Sequence, residues 1–254
     1  EGFLVSGMLI PLVVPADIPL WMVAVATAFA VIFGKEVFGG TGMNIWNPAL
    51  IARAFLFFAY PSKISGDTVW YSNCVDGFTG PTALSLAGTG DYTTYSIMDC
   101  IIGNIPGSIG ETSVIAIGLG AILLLVTGIA SWKTMFSVIA GGAIMGWVFN
   151  NFGSADNAMA ILPWYQHLII GGFAFGAVFM ATDPVTSPRT ECAKYIYGFL
   201  IGAMAIIIRV LNPGYPEGMM LAILLMNTLA PLFDYFVIQK NISKRKNRVK
   251  TAKA

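Results

Sequence analysis

The chain has 254 residues and a formal net charge of +1; 56% of the residues are hydrophobic and only 11% charged, and the mean hydropathy is +0.74. A soluble domain carries about 25% charged residues, so this chain cannot cover a water-facing surface. That excludes an ordinary cytosolic enzyme, a disordered chain and a nucleic-acid binder, and leaves an integral membrane protein with several spans.

The first apolar stretch, 2–14, is too short to cross a membrane alone and reads as the end of a truncated span. The chain opens on Glu1 rather than Met, so an earlier part is expected. Spans are expected next over 18–34 and 46–60. Residues 61–111 form a long polar connection rich in Ser, Thr, Gly and Asp, with Lys63 set against Asp67, Asp76, Asp91, Asp99 and Glu111. Connections of this length are usually functional or disordered. Spans are then expected over 112–132, 134–155, 157–182 (with Pro163 and Trp164 at an interfacial start), 195–208 and 218–238. The chain closes on a basic tail, 240–254, with Lys240, Lys244, Arg245, Lys246, Arg248, Lys250 and Lys253. The predicted fold is an all-α integral membrane protein, a multi-span helical bundle organised as 1–60, 61–111, 112–239 and 240–254. Asn47-Pro48 and Asn212-Pro213 each precede an apolar helix, the pattern of an inverted repeat with broken helices.

Basic residues mark the cytoplasmic side. The tail is therefore placed inside, and five spans back puts 61–111 outside. Lys133, Arg189, Lys194 and Lys35 fall inside on the same count, and the loop at Asp156 falls outside. Gly142-x-x-x-Gly146, Gly172-x-x-x-Gly176 and Gly198-x-x-x-Gly202 present small faces for close helix packing. Cys74, Cys100 and Cys192 have no metal-ligand spacing and read as unpaired thiols.

Several residues stand out chemically. In Asp76-Gly77-Phe78-Thr79-Gly80-Pro81-Thr82, Gly77 and Gly80 permit close approach by a large group, and Thr82 offers an accessible hydroxyl; a solvated turn has the same composition. Asn44 and Asn47 stand three apart at a helix start, where Asn47 before Pro48 also suits a helix cap. Asp183 and Asp234 lie at the inner ends of spans, where carboxylates suit a hard cation or sit partly solvated. Arg53 and Arg209 lie inside apolar runs and should turn away from lipid; Arg53 suits either a reduced, anionic ligand or an acid partner. Glu36 beside Lys35 reads as a surface pair. Lone His167, near Trp164 and Tyr165 at the outside interface, reads as a packing residue or a wet edge.

Asp76, Thr79, Gly80 and Thr82 resemble the motif at which a flavin transferase attaches FMN through a phosphoester, with Pro81 where Ala is usual. The segments 34–50, 53–61, 107–113, 180–185, 212–213, 216–224 and 230–234 are similar to the B subunits of sodium-translocating NADH:quinone reductases, with Rnf D subunits as relatives. The resemblance covers nearly the whole chain. It implies covalent FMN on Thr82 and a noncovalent riboflavin, with Asn44, Asn47 and Arg53 on flavin-binding segments. It further implies electron transfer to ubiquinone, sodium uptake at positions matching Asp183 and Asp234, and membrane and peripheral partner subunits. A bacterial inner-membrane location follows, with 61–111 periplasmic and the tail cytoplasmic. The alternatives are an Rnf-type electron-transfer subunit, a passive solute channel of related fold, and a structural scaffold; a channel or a scaffold has no need of a modifiable threonine.

Overall fold

The structure is a computed structural model that describes residues 2–66, 69–71, 79–154, 156–212 and 216–253. It begins with α1 (Phe3–Val13), α2 (Leu20–Gly34), a 3-10 turn (Glu36–Phe38) and α3 (Pro48–Ala59). Asn47 starts α3: its side chain accepts from the Ala49 amide, and Pro48 occupies the first turn, where its missing N–H costs nothing. The polar connection carries three short helices, α4 (Pro61–Ile64), α5 (Ala83–Thr89) and α6 (Ile97–Ile102). Thr82 and Ser96 cap α5 and α6, and Gly90 and Gly103 end them with φ of 88° and 104°, a conformation that favours glycine.

The second part runs through α7 (Val114–Val126), α8 (Trp132–Phe152), α9 (Ala158–Ile161), α10 (Trp164–Ile169) and α11 (Phe173–Phe175). A π-helical turn (Gly176–Met180) follows, then α12 (Glu191–Leu211) and α13 (Met219–Lys253). Four stretches, Leu20–Phe38, Trp132–Phe152, Glu191–Leu211 and Met219–Arg248, are long and apolar enough to cross a membrane. Among the described residues all regular elements are helical, and the chain is an all-α, multi-pass membrane protein.

Three of the expected spans take another form. The 46–60 span is a helix of only 12 residues, and the 112–132 span one of 13; each rises about 20 Å, short of the ~30 Å hydrocarbon core. α7 stops because Thr127 turns its hydroxyl back onto the Leu123 and Leu124 carbonyls and Gly128 takes a φ of 70°. The 157–182 segment is not one helix but a broken path. Pro163 supplies no N–H to continue α9, Gly171 turns the chain at φ 68°, and the π turn follows. The basic tail, in contrast, simply continues α13, with its cations at the helix C-terminus, where the helix dipole favours them.

The core is built around α8 and α12, packed backbone to backbone. A Cβ added to Gly202 would overlap the Val138 carbonyl oxygen and lie 2.6 Å from the Gly142 amide nitrogen; one on Gly198 would lie 2.7 Å from the Thr134 carbonyl oxygen. Gly146 meets Trp164, and Gly176 meets Met219 and Ile223. The small-residue faces are therefore spent on packing within the chain. The half-length α3 is wedged into the interior, with Leu50, Ala52, Arg53 and Leu56 all buried.

The connections sort to two ends of the bundle in the grouping that the charge pattern gives. Described residues of 64–66, 70, 82–89, 105–112, 154, 156–159, 209–211 and 216–217 surround one cavity. At the other end Lys133 and Lys194 both pair with Glu191, at 2.6 and 2.7 Å.

Candidate functional site

The cavity measures about 910 Å³, and Thr82 lies on its wall. Thr82 is fixed by its role as the cap of α5: its Oγ1 accepts the Ser85 N–H at 3.1 Å. The approach to it is also held. Thr79 pairs antiparallel with Tyr71, the Gly80 amide donates to the Trp70 carbonyl at 3.4 Å, and the Tyr95 hydroxyl donates to the Pro81 carbonyl at 3.3 Å. Asp76 lies outside the described residues.

The same cavity is lined by a cluster of buried charges: Arg53, Glu111, Arg209 and Glu217. Arg53, from α3, is 3% exposed. Its guanidinium bridges two carboxylates, Nη1 to Glu111 Oε1 and Nη2 to Glu217 Oε2 at 2.5 Å. Ser108 Oγ donates to the second Glu111 oxygen at 2.8 Å. Arg209, 1% exposed, donates to the carbonyls of His167 (2.7 Å), Pro216 (3.2 Å) and Ile170 (3.4 Å). A buried charge must be paired or it is very costly, and here the pairing comes from parts of the sequence 58 and 164 residues away from Arg53. Gly172 makes the arrangement possible: a Cβ there would stand 2.6 Å from Glu111 Oε1 and 2.7 Å from Glu217 Oε1. Burial pushes the Glu217 carboxyl up, with Glu111 adding to the effect and Arg53 and Arg209 opposing it. His167 is fully buried, a packing position rather than a wet edge, and its carbonyl accepts from Arg209.

Of the sequence-predicted site residues, Thr82 and Arg53 come together at this cavity, with Thr79 and Gly80 on the approach. Asn44 and Asn47 do not join them. Asn44 lies in the loop before α3, not on the helix, and donates to the Trp46 carbonyl at 3.3 Å. Asn47 is the cap, and its Nδ2 donates to Asp183 Oδ2 at 3.3 Å. Asp183 also accepts from the Val185 amide at 3.0 Å. Glu111 and Glu217 are the functional candidates that sequence reasoning left unassigned. A signal existed for both: a Pro-Gly pair, 106–107 and 213–214, is followed four or five residues after its proline by a glutamate, and then by an uncharged apolar run.

Asp234 is engaged as a second cap. Its carboxylate accepts from the Arg189 amide (2.8 Å), the Thr190 amide (2.9 Å) and the Thr190 hydroxyl (2.6 Å), at the start of α12. Asp234→Ala strands these donors, a loss of about 1–3 kcal/mol. Local opening at 189–190 should then accelerate tryptic cleavage after Arg189 roughly fivefold or more; an unchanged cleavage rate would show that the tie holds nothing.

The NQR2, RnfD, RnfE family model matches residues 1–243. The chain is 53% identical over 252 residues to the B subunit of a Na(+)-translocating NADH-quinone reductase from Chromohalobacter salexigens, covering 98% of this chain and 61% of that protein. It is 54% identical over 253 residues to the protein of the same name from Pseudoalteromonas atlantica, covering 98% and 62%. A Pseudomonas aeruginosa relative of that name is 53% identical over 250 residues, covering 96% and 62%. The chain thus spans a little over three fifths of the length of these relatives, and along almost all of its own length it belongs to the NQR2, RnfD, RnfE family.

Proposed function

We propose that this chain works as the membrane part of the B subunit of a sodium-translocating NADH–quinone reductase, a flavoprotein that relays electrons to ubiquinone coupled to sodium export. The observation that carries the reading is the position of Thr82 on the wall of a cavity lined by buried arginines. The family takes in RnfD as well, but the names of the relatives favour the NADH–quinone reductase reading.

The residues present fit FMN joined to Thr82. The cavity lies in the size range of ligand sites, and its wall carries two guanidiniums together with the carboxylates that pair with Arg53. The Thr82 oxygen used as a cap acts as an acceptor, and an ester oxygen still accepts, so attachment leaves α5 capped. When bound, a flavin supplies one- and two-electron transfer; the chain supplies position and charge. Riboflavin is assigned to the segment of Asn44 and Asn47, and sodium to a path past Asp183 and Asp234. Asp183 accepts from the Asn47 side chain and the Val185 amide, and Asp234 from Arg189 and Thr190. Other subunits of the complex deliver the electrons. The inner membrane of a bacterium is the assigned location, with the Thr82 end periplasmic and the basic end cytoplasmic.

The test is covalent attachment. The chain is made in cells that hold the flavin transferase, fully denatured, and examined by flavin fluorescence and intact mass beside Thr82→Ala. A fluorescent band with the added mass of FMN, lost completely in the variant, is expected. A colourless, unmodified wild-type chain would sink the reading.

A further inference from the structure

We propose that Glu217 is the charge-compensating group of the cavity: when negative charge enters the cavity, Glu217 takes up a proton from the bulk solvent. This rests on the reading that a flavin occupies the cavity.

The buried cluster holds two guanidiniums and two carboxylates, so it is balanced when both acids are ionised. Adding an electron beside this buried cluster leaves an uncompensated charge, and protonating a carboxylate is the least costly remedy. The two acids are not equivalent. Glu111 accepts on both oxygens, from Arg53 and from Ser108. Glu217 accepts from Arg53 through Oε2, and its side chain is the more open of the two, 18% exposed against 11%. Its Oε1 converges with that of Glu111 on Gly172, and two like charges at such range disfavour double ionisation. Once Glu217 is protonated, Arg53 remains paired with Glu111 and a full positive charge becomes available to the cavity.

The charged and titratable groups facing Glu217 are Arg53 from α3, Glu111 from the stretch before α7, and Arg209 from α12. His167 lies behind Arg209, and Asp156 stands on the cavity wall. The step balances: one electron passes from a one-electron donor, dithionite in the test, to the bound flavin. One proton passes from the bulk buffer, whose conjugate base stays in solution, to Glu217 Oε1, while Oε2 still accepts from Arg53 Nη2.

The test uses the full chain, flavinylated in cells and purified in detergent. Its infrared difference spectrum is recorded on reduction by dithionite, in H2O and D2O, and its midpoint potential is measured against pH. A deuterium-sensitive carboxylic-acid carbonyl band should appear on reduction, persist in Glu111→Gln and vanish in Glu217→Gln. The pH slope of the midpoint should fall in Glu217→Gln by about 59 mV per pH unit, one proton per electron. The inference is overturned if the wild type shows no such band, or if the band survives in Glu217→Gln. Should Glu217→Gln fail to fold, a band that disappears in Glu111→Gln assigns the proton to the other acid and equally overturns it, while persistence supports Glu217. Absence of flavin from denatured wild-type chain is a different result, and it refutes the flavin reading itself.

Discussion

Arg53→Met is expected to destabilise the folded chain by about 3–5 kcal/mol, the range for breaking a buried ion pair by removing one partner. Methionine fills much of the same space and packs readily, so lost volume is a minor part of the effect. The main cost is electrostatic: Glu111 and Glu217 remain buried beside each other with their shared guanidinium gone. Apparent melting in detergent should fall by roughly 6–20 °C. The triple variant Arg53→Met, Glu111→Gln, Glu217→Gln removes the uncompensated charge and should recover most of that loss, since replacing a whole buried ion cluster is often near neutral. If the triple variant melts as low as the single one, the loss lies in packing rather than charge.

Gly202→Val is expected to cost more than about 3 kcal/mol, beyond the common range for an overpacked core. The atoms that a Cβ would strike are the backbone of α8 at Val138 and Gly142, which cannot swing aside as a side chain can. Relief requires moving α8 away from α12, the pair that forms the core of the fold. Loss of the monodisperse peak in size-exclusion chromatography is the readout. Gly118→Ala is the control: it sits in α7 with open space around the site of its Cβ, and alanine should stabilise that helix by up to about 1 kcal/mol. A well-behaved Gly202→Val protein would mean that α8 and α12 do not touch as described.

The long apolar helices and their grouping into two ends were legible because hydropathy and basic residues act locally, within a window of the chain. The use of the glycine faces was legible in kind, since close packing requires small residues whatever their partner. The interrupted elements were less so. A run such as 157–182 is uncharged from end to end, and hydropathy does not register that Pro163 removes a donor or that Gly171 turns the chain. α7 looked long enough because Gly128 and Thr127 count as ordinary members of an apolar run, although together they end the helix. The site was half visible. Thr82 announced itself through its neighbours, and Arg53 through the cost of a charge among apolar residues. The acids that hold Arg53 were hidden by distance along the chain, and the split use of the asparagines by the fact that Asn47 serves as cap and as donor to Asp183 at once.

The Arg53 bridge also has a consequence for biosynthesis. Its two carboxylates leave the ribosome 58 and 164 residues after the guanidinium does. At about 5–20 residues per second, Arg53 exists for roughly 3–12 s before Glu111 and 8–33 s before Glu217. During that interval α3 carries an incompletely neutralised cation, and it is too short to span the bilayer. Full neutralisation of the Arg53 charge on α3 therefore waits until Glu217, just ahead of α13, has been made.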